Sequence, residues 1–372
     1  MNLRNWITMG AALAVLAVGA LAQTTLKDAY KNAFRIGAAL NPGQFEERDA
    51  REAAIVKAQF NTISPENVLK WESVHPRPDG YDFTLADKYV EFGERNHMFV
   101  IGHTLVWHSQ TPRWVFQDDK GEPISREALL ERMHDHIRTV VGRYKGRIGG
   151  WDVVNEALND DGTLRQSPWL KIIGEDYLVQ AFRFAHEADP AAELYYNDYS
   201  LENPAKRKNA IELIGKLKAA GAPVTAIGSQ EHESLDRPTA AEVDAAITEL
   251  ASAGVKVNVT ELDVDVLPRV TRQTGADVNS KGEARAGSNP YADGLPDAVG
   301  QALAKRYAEL FAVFWKHRDV MTRITLWGVT DGDSWLNNWP VGGRTNYPLL
   351  FDRAGEKKAA FGSVVGVAGK RE

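Results

Sequence analysis

The sequence predicts an α/β fold, a single-domain (β/α)8 TIM barrel. Three observations carry that expectation. Short apolar runs rich in β-branched residues alternate with longer charged stretches of helical character. Eight such runs follow residue 22. The chain has 372 residues, a length that suits one barrel with insertions. Strands alternating with helices build parallel sheets, and eight repeats of that unit suffice to close one.

In chain order the expected strands are Phe34–Leu40, Asn61–Pro65, Phe99–Trp107, Gly150–Asn155, Leu194–Asp198, Ala226–Gln230, Val257–Thr260 and Arg323–Val329. Each is a short apolar run, as a strand buried on both faces should be. Between them, Arg48–Gln59, Ala86–Asn96, Ser125–Tyr144, Ala205–Ala220, Ala240–Ala253 and Ala298–His317 carry the mixed charge and apolar spacing of amphipathic helices. Thr271–Gly294, rich in Gly, Asn, Asp and Ser, reads as a long loop after the seventh strand, on the face where barrel active sites form. Its spacing matches no calcium-binding loop, so it is expected to be solvated.

The amino terminus reads as a secretory signal peptide over residues 1–22. Arg4 precedes an uncharged, largely apolar run from Ile7 to Leu21, and Ala20-Leu21-Ala22 has the small-x-small pattern of a cleavage site. The run is short for a membrane span. Residues 23–372 then form the catalytic barrel, with no Pro/Ser/Thr-rich linker to a further module, and export places the protein outside the cell or in the periplasm. Apolar residues make up 44% and charged residues 25%, which fits a globular chain with a large core. The net charge of −6 becomes −7 once Arg4 is removed, so nothing draws the chain to nucleic acid or anionic lipid. With no cysteine, disulfides and thiolate metal sites are excluded. A monomer acting on a neutral substrate, without cofactor, is the expectation.

Two of the strand-like runs lead into a glutamate, Glu156 and Glu261, which lie 105 residues apart. Burying a carboxylate is costly unless the group is paired or used. Two of them at the active face form a pair suited to hydrolysing a glycosidic bond. Other polar and aromatic residues collect at the same strand ends: Glu66, Asn67, Lys70 and Trp71 after the second strand, His103, Trp107, His108 and Gln110 on the third, Asn155 on the fourth, Asn197, Asp198 and Tyr199 on the fifth. Gln230 and His232 follow the sixth, Asp263 the seventh, and Trp327, Asp331 and Trp335 the eighth. A flat indole near such a site can face the C–H groups of a pyranose ring. Glu261 and Asp263 are two apart and tend to the same side, so His232 could bridge them, the lesser alternative being that Asp263 merely caps the next segment. Asp152 lies deeper and reads as a structural group inside the barrel. Zinc ligation by Glu66, His103, His108 and His232 is disfavoured, because His103 and His108 are five apart on a strand and face opposite sides.

These motifs together resemble glycoside hydrolase family 10 endo-β-1,4-xylanases over residues 25–365. The likeness rests on Phe60-Asn61-Thr62-Ile63-Ser64-Pro65-Glu66-Asn67 with Lys70-Trp71, on Gly102-His103-Thr104-Leu105-Val106-Trp107-His108 and on Trp151-Asp152-Val153-Val154-Asn155-Glu156. It rests also on Thr260-Glu261-Leu262-Asp263 and on Trp327-Gly328-Val329-Thr330-Asp331 with Ser334-Trp335. The resemblance implies endo-hydrolysis of xylan and xylo-oligosaccharides by a retaining double displacement, with Glu156 as acid/base and Glu261 as nucleophile. It implies that Glu66, Asn67 and Lys70 hold the second glycone xylose, and that His103, Trp107, Gln110 and Asn155 surround the xylose at the cleaved bond. Trp327 and Trp335 would wall the glycone sugars and Tyr199 and Gln230 line the site, with His232 and Asp263 supporting Glu261. Three other readings remain: a related barrel glycosidase acting on cellulose, a non-catalytic polysaccharide-binding barrel, and a metal-dependent hydrolase. The paired glutamates argue against the binding-only reading.

Overall fold

A computed structural model describes residues 24–269, 282 and 286–369. The expected signal peptide and most of the Thr271–Gly294 loop lie outside these residues. The strands are β1 (Arg35–Leu40), β2 (Thr62–Pro65), β3 (Phe99–Trp107), β4 (Gly150–Asn155), β5 (Glu193–Asp198), β6 (Ala226–Ser229), β7 (His232–Ser234), β8 (Lys256–Asp265) and β9 (Met321–Leu326). All pairings are parallel, and the ring β1-β2-β3-β4-β5-β6-β8-β9 closes on itself through β9–β1. This is the eight-stranded barrel expected from the alternation of runs. The short β7 is a ninth strand with no counterpart in that expectation. It resumes the lane of β6 after a break at Gln230–Glu231 and pairs with the upper part of β8.

Helices cover the outside of the ring. Six match the expected amphipathic stretches: Ala50–Gln59, Thr84–Arg95, Arg126–Arg143, Pro204–Ala219, Ala240–Ala251 and Asp297–Lys316. Several begin where a side chain accepts from the free amides of the first turn, at Asp49, Ser125, Asn203 and Thr239. At Thr239 the partner Glu242 bonds back to the cap residue. Tyr177–Ala188 and Ala359–Gly369 complete the layer at positions where the sequence expectation named no helix. The second has small and apolar residues but no charged face in Ala359–Gly369, so its helical period is faint. One large apolar core fills the space between helices and barrel, and a smaller cluster of Ile101, Tyr195 and Ala226 sits apart from it.

β8 corrects the expectation in one important respect. The apolar run stops at Thr260, but the strand continues to Asp265, so Glu261 sits within it and not at its end. Polar residues continue the strand because β7 and β9 supply backbone partners on either side. β8 also carries an extra residue. Val259 pairs with Ile324 and Leu262 with Leu326, three steps against two. Similar register shifts occur between His103 and Val106 on β3 and between Asp152 and Val154 on β4. Such bulges re-aim side chains at barrel rims.

Candidate active site

Every residue singled out from the sequence as catalytic, substrate-binding or supporting borders one cleft of about 1180 Å³ at the carboxyl ends of the strands. Four positions just beyond β3, β4, β5 and β6 adopt left-handed backbone without being glycine: Gln110 (φ 44°), Glu156 (φ 57°), Ser200 (φ 51°) and Glu231 (φ 59°). That conformation costs an ordinary residue on the order of 1–3 kcal/mol and gathers at functional sites.

Glu156 is buried and receives two neutral donors. Trp107 Nε1–H donates to Oε2 at 2.9 Å, and Gln230 Nε2–H donates to Oε1 at 3.0 Å. Its backbone N–H donates to Asn197 O at 2.8 Å, which ties the end of β4 to β5. Glu261 is equally buried but differently held. Asn197 Nδ2–H donates to Oε1 at 2.9 Å and His232 Nε2 lies 3.2 Å from Oε2. His232 Nδ1 lies 3.1 Å from Asp263 Oδ1, and Trp335 Nε1–H donates to Asp263 Oδ2 at 2.7 Å. The expected bridge of His232 between Glu261 and Asp263 therefore forms, and Asp263 orients an imidazole and an indole instead of capping a segment.

The charges of this trio follow from its contacts. Burial works against a cationic His232, but Asp263 and Glu261 outweigh it and raise the pKa to about 10. Burial likewise opposes the Glu261 anion, yet the His232 hydrogen bond, the electrostatic pull of the His103 and His232 rings and the Asn197 amide together hold it below the usual carboxylate range. At neutral pH a cationic His232 thus lies between the Glu261 anion and the Asp263 carboxyl.

The amide side chains join the two carboxylates. Gln230 donates to Glu156 and approaches Asn155 Oδ1 at 3.5 Å, while Asn197 donates to Asn155 Oδ1 and to Glu261. Asn197 is also reached by Thr260 Oγ1–H, which donates to its Oδ1 at 2.7 Å. Consecutive residues of a regular strand point to opposite faces. Thr260 and Glu261 both touch Asn197 because of the extra residue in β8. Gly228 makes room for this contact: a Cβ there would fall 2.4 Å from Asn197 Oδ1.

On one side of the pair, Lys70 Nζ donates to Asn67 Oδ1 at 2.9 Å and to Gln110 Oε1 at 2.7 Å, and sits 5.0 Å from the centre of the Trp107 ring. Burial lowers Lys70 to about 8 against the pull of Glu261, Glu66 and Glu156. Burial raises Glu66 to about 7, opposed by Lys70 and reinforced by Glu52. Trp327 lies edge-on to His103 at 5.6 Å between ring centres, and Trp335 lies 4.9 Å from His232 and stacks on Trp339 at 4.8 Å. Tyr199 borders the opposite side, its hydroxyl donating to Asp160 at 2.6 Å.

Asp152 sits inside the barrel, as expected, and its carboxylate meets His103 Nδ1 at 2.9 Å. It therefore fixes the orientation of a cleft residue. His108 instead approaches Glu156, 4.0 Å from Oε2. Among the described residues no group of three or more His, Asp or Glu side chains is arranged to hold a metal ion. Two contributors lacked an assigned role from sequence. Asn197 was visible as a strand-end polar residue, and only the structure gives it Glu261 as a partner. Arg165 lies in the loop after β4 and no motif signalled it.

The arrangement sets a carboxyl held by neutral donors and an ionised carboxylate in one cleft of about 1180 Å³, equipment for acid-assisted displacement. The profile of Glycosyl hydrolase family 10 matches residues 25–367. Endo-1,4-beta-xylanase A of Xylanibacter ruminicola is 46% identical over 93% of this chain and 94% of its own length. Endo-1,4-beta-xylanase of Geobacillus stearothermophilus is 42% identical over 92% and 98%. Among solved structures, a GH10 endoxylanase retrieved from a sugarcane soil metagenome superposes with a TM-score of 0.87 at 46% identity, covering 93% of this chain and 100% of that one. Xylanase XynB from Paenibacillus barcinonensis, complexed with a conduramine derivative, gives 0.83 at 41% identity, covering 93% and 99%. With its barrel, its paired carboxylates and these relatives along nearly its whole length, the chain belongs to glycosyl hydrolase family 10.

Proposed function

We propose that the protein is an endo-1,4-β-xylanase that cleaves internal bonds of xylan and xylo-oligosaccharides by a retaining double displacement. The observation that carries this reading is the unequal setting of two carboxylates in one cleft. Glu261 is ionised beside a cationic imidazole, whereas both oxygens of Glu156 face neutral donors. Unequal settings separate the roles of such a pair. Glu156 protonates the glycosidic oxygen as that bond to the anomeric carbon breaks, and the Glu261 carboxylate forms a new bond to the same carbon. Glu156 then takes a proton from water, which attacks the carbon and releases Glu261. His232, held by Asp263, keeps Glu261 oriented through the cycle. Asn155, Trp107, His103 and Gln110 surround the sugar at the cleaved bond, Glu66, Asn67 and Lys70 the next glycone sugar, and Trp327 and Trp335 form its walls. A cleft lined by Glu66 and Lys70 beyond β2 and by Tyr199 and Asn203 beyond β5 suits a polymer lying across the barrel.

Export through residues 1–22 and action as a monomer complete the proposal. No helix among the described residues is long and apolar enough to cross a membrane. Release of reducing ends should be rapid on xylan and slight on carboxymethyl-cellulose. Comparable rates on the two would replace this reading with the cellulase alternative.

Lys70 gives the proposal a pH signature. Its proton is lost as pH rises through about 8, and with it one donor of the glycone subsite. KM for xylo-oligosaccharides should therefore rise across that pH, and Lys70→Met should start high and stay flat. A wild-type KM unchanged through pH 8 would exclude the contact.

A further inference from the structure

Glu156 is held by its backbone as well as by its carboxyl. Its left-handed φ of 57° turns the residue out of line with β4 directly after Asn155. Left-handed backbone persists in an ordinary residue only where the surroundings over-determine it. Asn197 holds the Glu156 N–H, and one side chain holds the carbonyl side of the turn. Arg165 Nε–H donates to Glu156 O at 2.9 Å, and its Nη2 donates to Leu158 O at 3.0 Å and to the Tyr199 hydroxyl at 3.0 Å. The backbone N–H of Arg165 donates to Ala157 O at 2.8 Å, so the loop folds back on the turn it stabilises. Tyr199 passes the connection on to Asp160 at the cleft wall. The planar guanidinium fits this task, since its donors diverge in a fixed fork that serves two carbonyls at once.

We propose that Arg165 is a positioning residue for proton transfer: it clamps the carbonyls of Glu156 and Leu158 and so aims the Glu156 carboxyl at the glycosidic oxygen. The inference rests on the assignment of Glu156 as acid/base. A misaimed acid slows only those bonds whose cleavage needs protonation, so the clamp has a readout that a merely structural role would not move.

The test measures kcat/KM of the wild type, Arg165→Ala, Arg165→Lys and Glu156→Ala on two aryl xylobiosides, one with a dinitrophenolate leaving group and one with phenolate. Arg165→Ala should lose about 100-fold on the phenyl substrate, the scale of a small misplacement of a catalytic group, and only about 3-fold on the dinitrophenyl substrate, which leaves without an acid. Arg165→Lys, able to serve one carbonyl but not both, should fall between. Partial unfolding lowers both substrates by one factor, so proportional loss on the two overturns the clamp, as does full activity. If Arg165→Ala does not fold, Arg165→Lys decides, and wild-type kcat/KM on the phenyl substrate overturns the proposal. Glu156→Ala separates the two claims. If it discriminates between substrates and the Arg165 variants do not, only the clamp fails. If Glu156→Ala itself loses equally on both, the acid/base assignment fails.

Discussion

Glu261→Ala is expected to abolish hydrolysis of xylan, with kcat falling by at least about 10⁴-fold, the scale seen when a nucleophilic machinery loses one member. The variant removes a carboxylate that is ionised beside the cationic His232, and alanine offers no atom to bond the anomeric carbon. Water cannot substitute well, because the base Glu156 stands on the leaving-group side. Added azide tests the geometry as well as the role. It is an anion that needs no base, and it fits the space the carboxylate vacates. A single attack from that face inverts the anomeric centre, so the expected product is an α-xylosyl azide. Hydrolysis near the wild-type rate, or a β-configured azide, would sink the assignment of Glu261.

Glu156→Ala is expected to lose about 10²–10⁴-fold in kcat/KM on xylan, the usual contribution of a positioned acid or base. The loss should nearly vanish in kcat/KM for an activated aryl glycoside, since bond breaking then needs no proton. The covalent intermediate should instead accumulate, because the same residue is missing as base for the second step. A burst of aryl alcohol followed by slow turnover is the expected trace, with azide accelerating the slow phase. Equal losses on activated and unactivated substrates would contradict the acid role. Both variants remove a carboxyl from a buried site, so neither result should be confused with loss of fold, which a thermal midpoint reports separately.

Much of this was legible in the sequence, for physical reasons. Burial on both faces makes barrel strands continuous apolar runs, and so β3 and β4 were bounded to the residue. Polar side chains at the ends of such runs have few uses other than a site, which is why the residues read as catalytic, binding or supporting border one cleft, although the strand-end Trp71, His108, Asn197, Asp198 and Asp331 do not line it. What escaped was set by tertiary partners. β8 runs on beyond Thr260 because neighbouring backbones receive it, although Glu261, Asp263 and Asp265 do not look like strand interior. Strand parity also misleads where register shifts intervene, as between His103 and Val106. Arg165 is one arginine among many charges in a loop, and its importance lies in three acceptors from three separate positions.

The additional residue in β8 has a consequence for how this catalyst can be lost. Glu261 faces the cleft through a count of residues, not through composition. Two opposite shifts against β9, between Val257 and Val259 and between Val259 and Leu262, now cancel; deleting a single codon in the second stretch would leave the first uncompensated, and the side chains beyond it would exchange faces. A carboxylate swung outward would meet the apolar layer under the helices. A side chain around the cleft can thus change without moving its neighbours, whereas a change in the length of this one strand segment re-aims Glu261 itself.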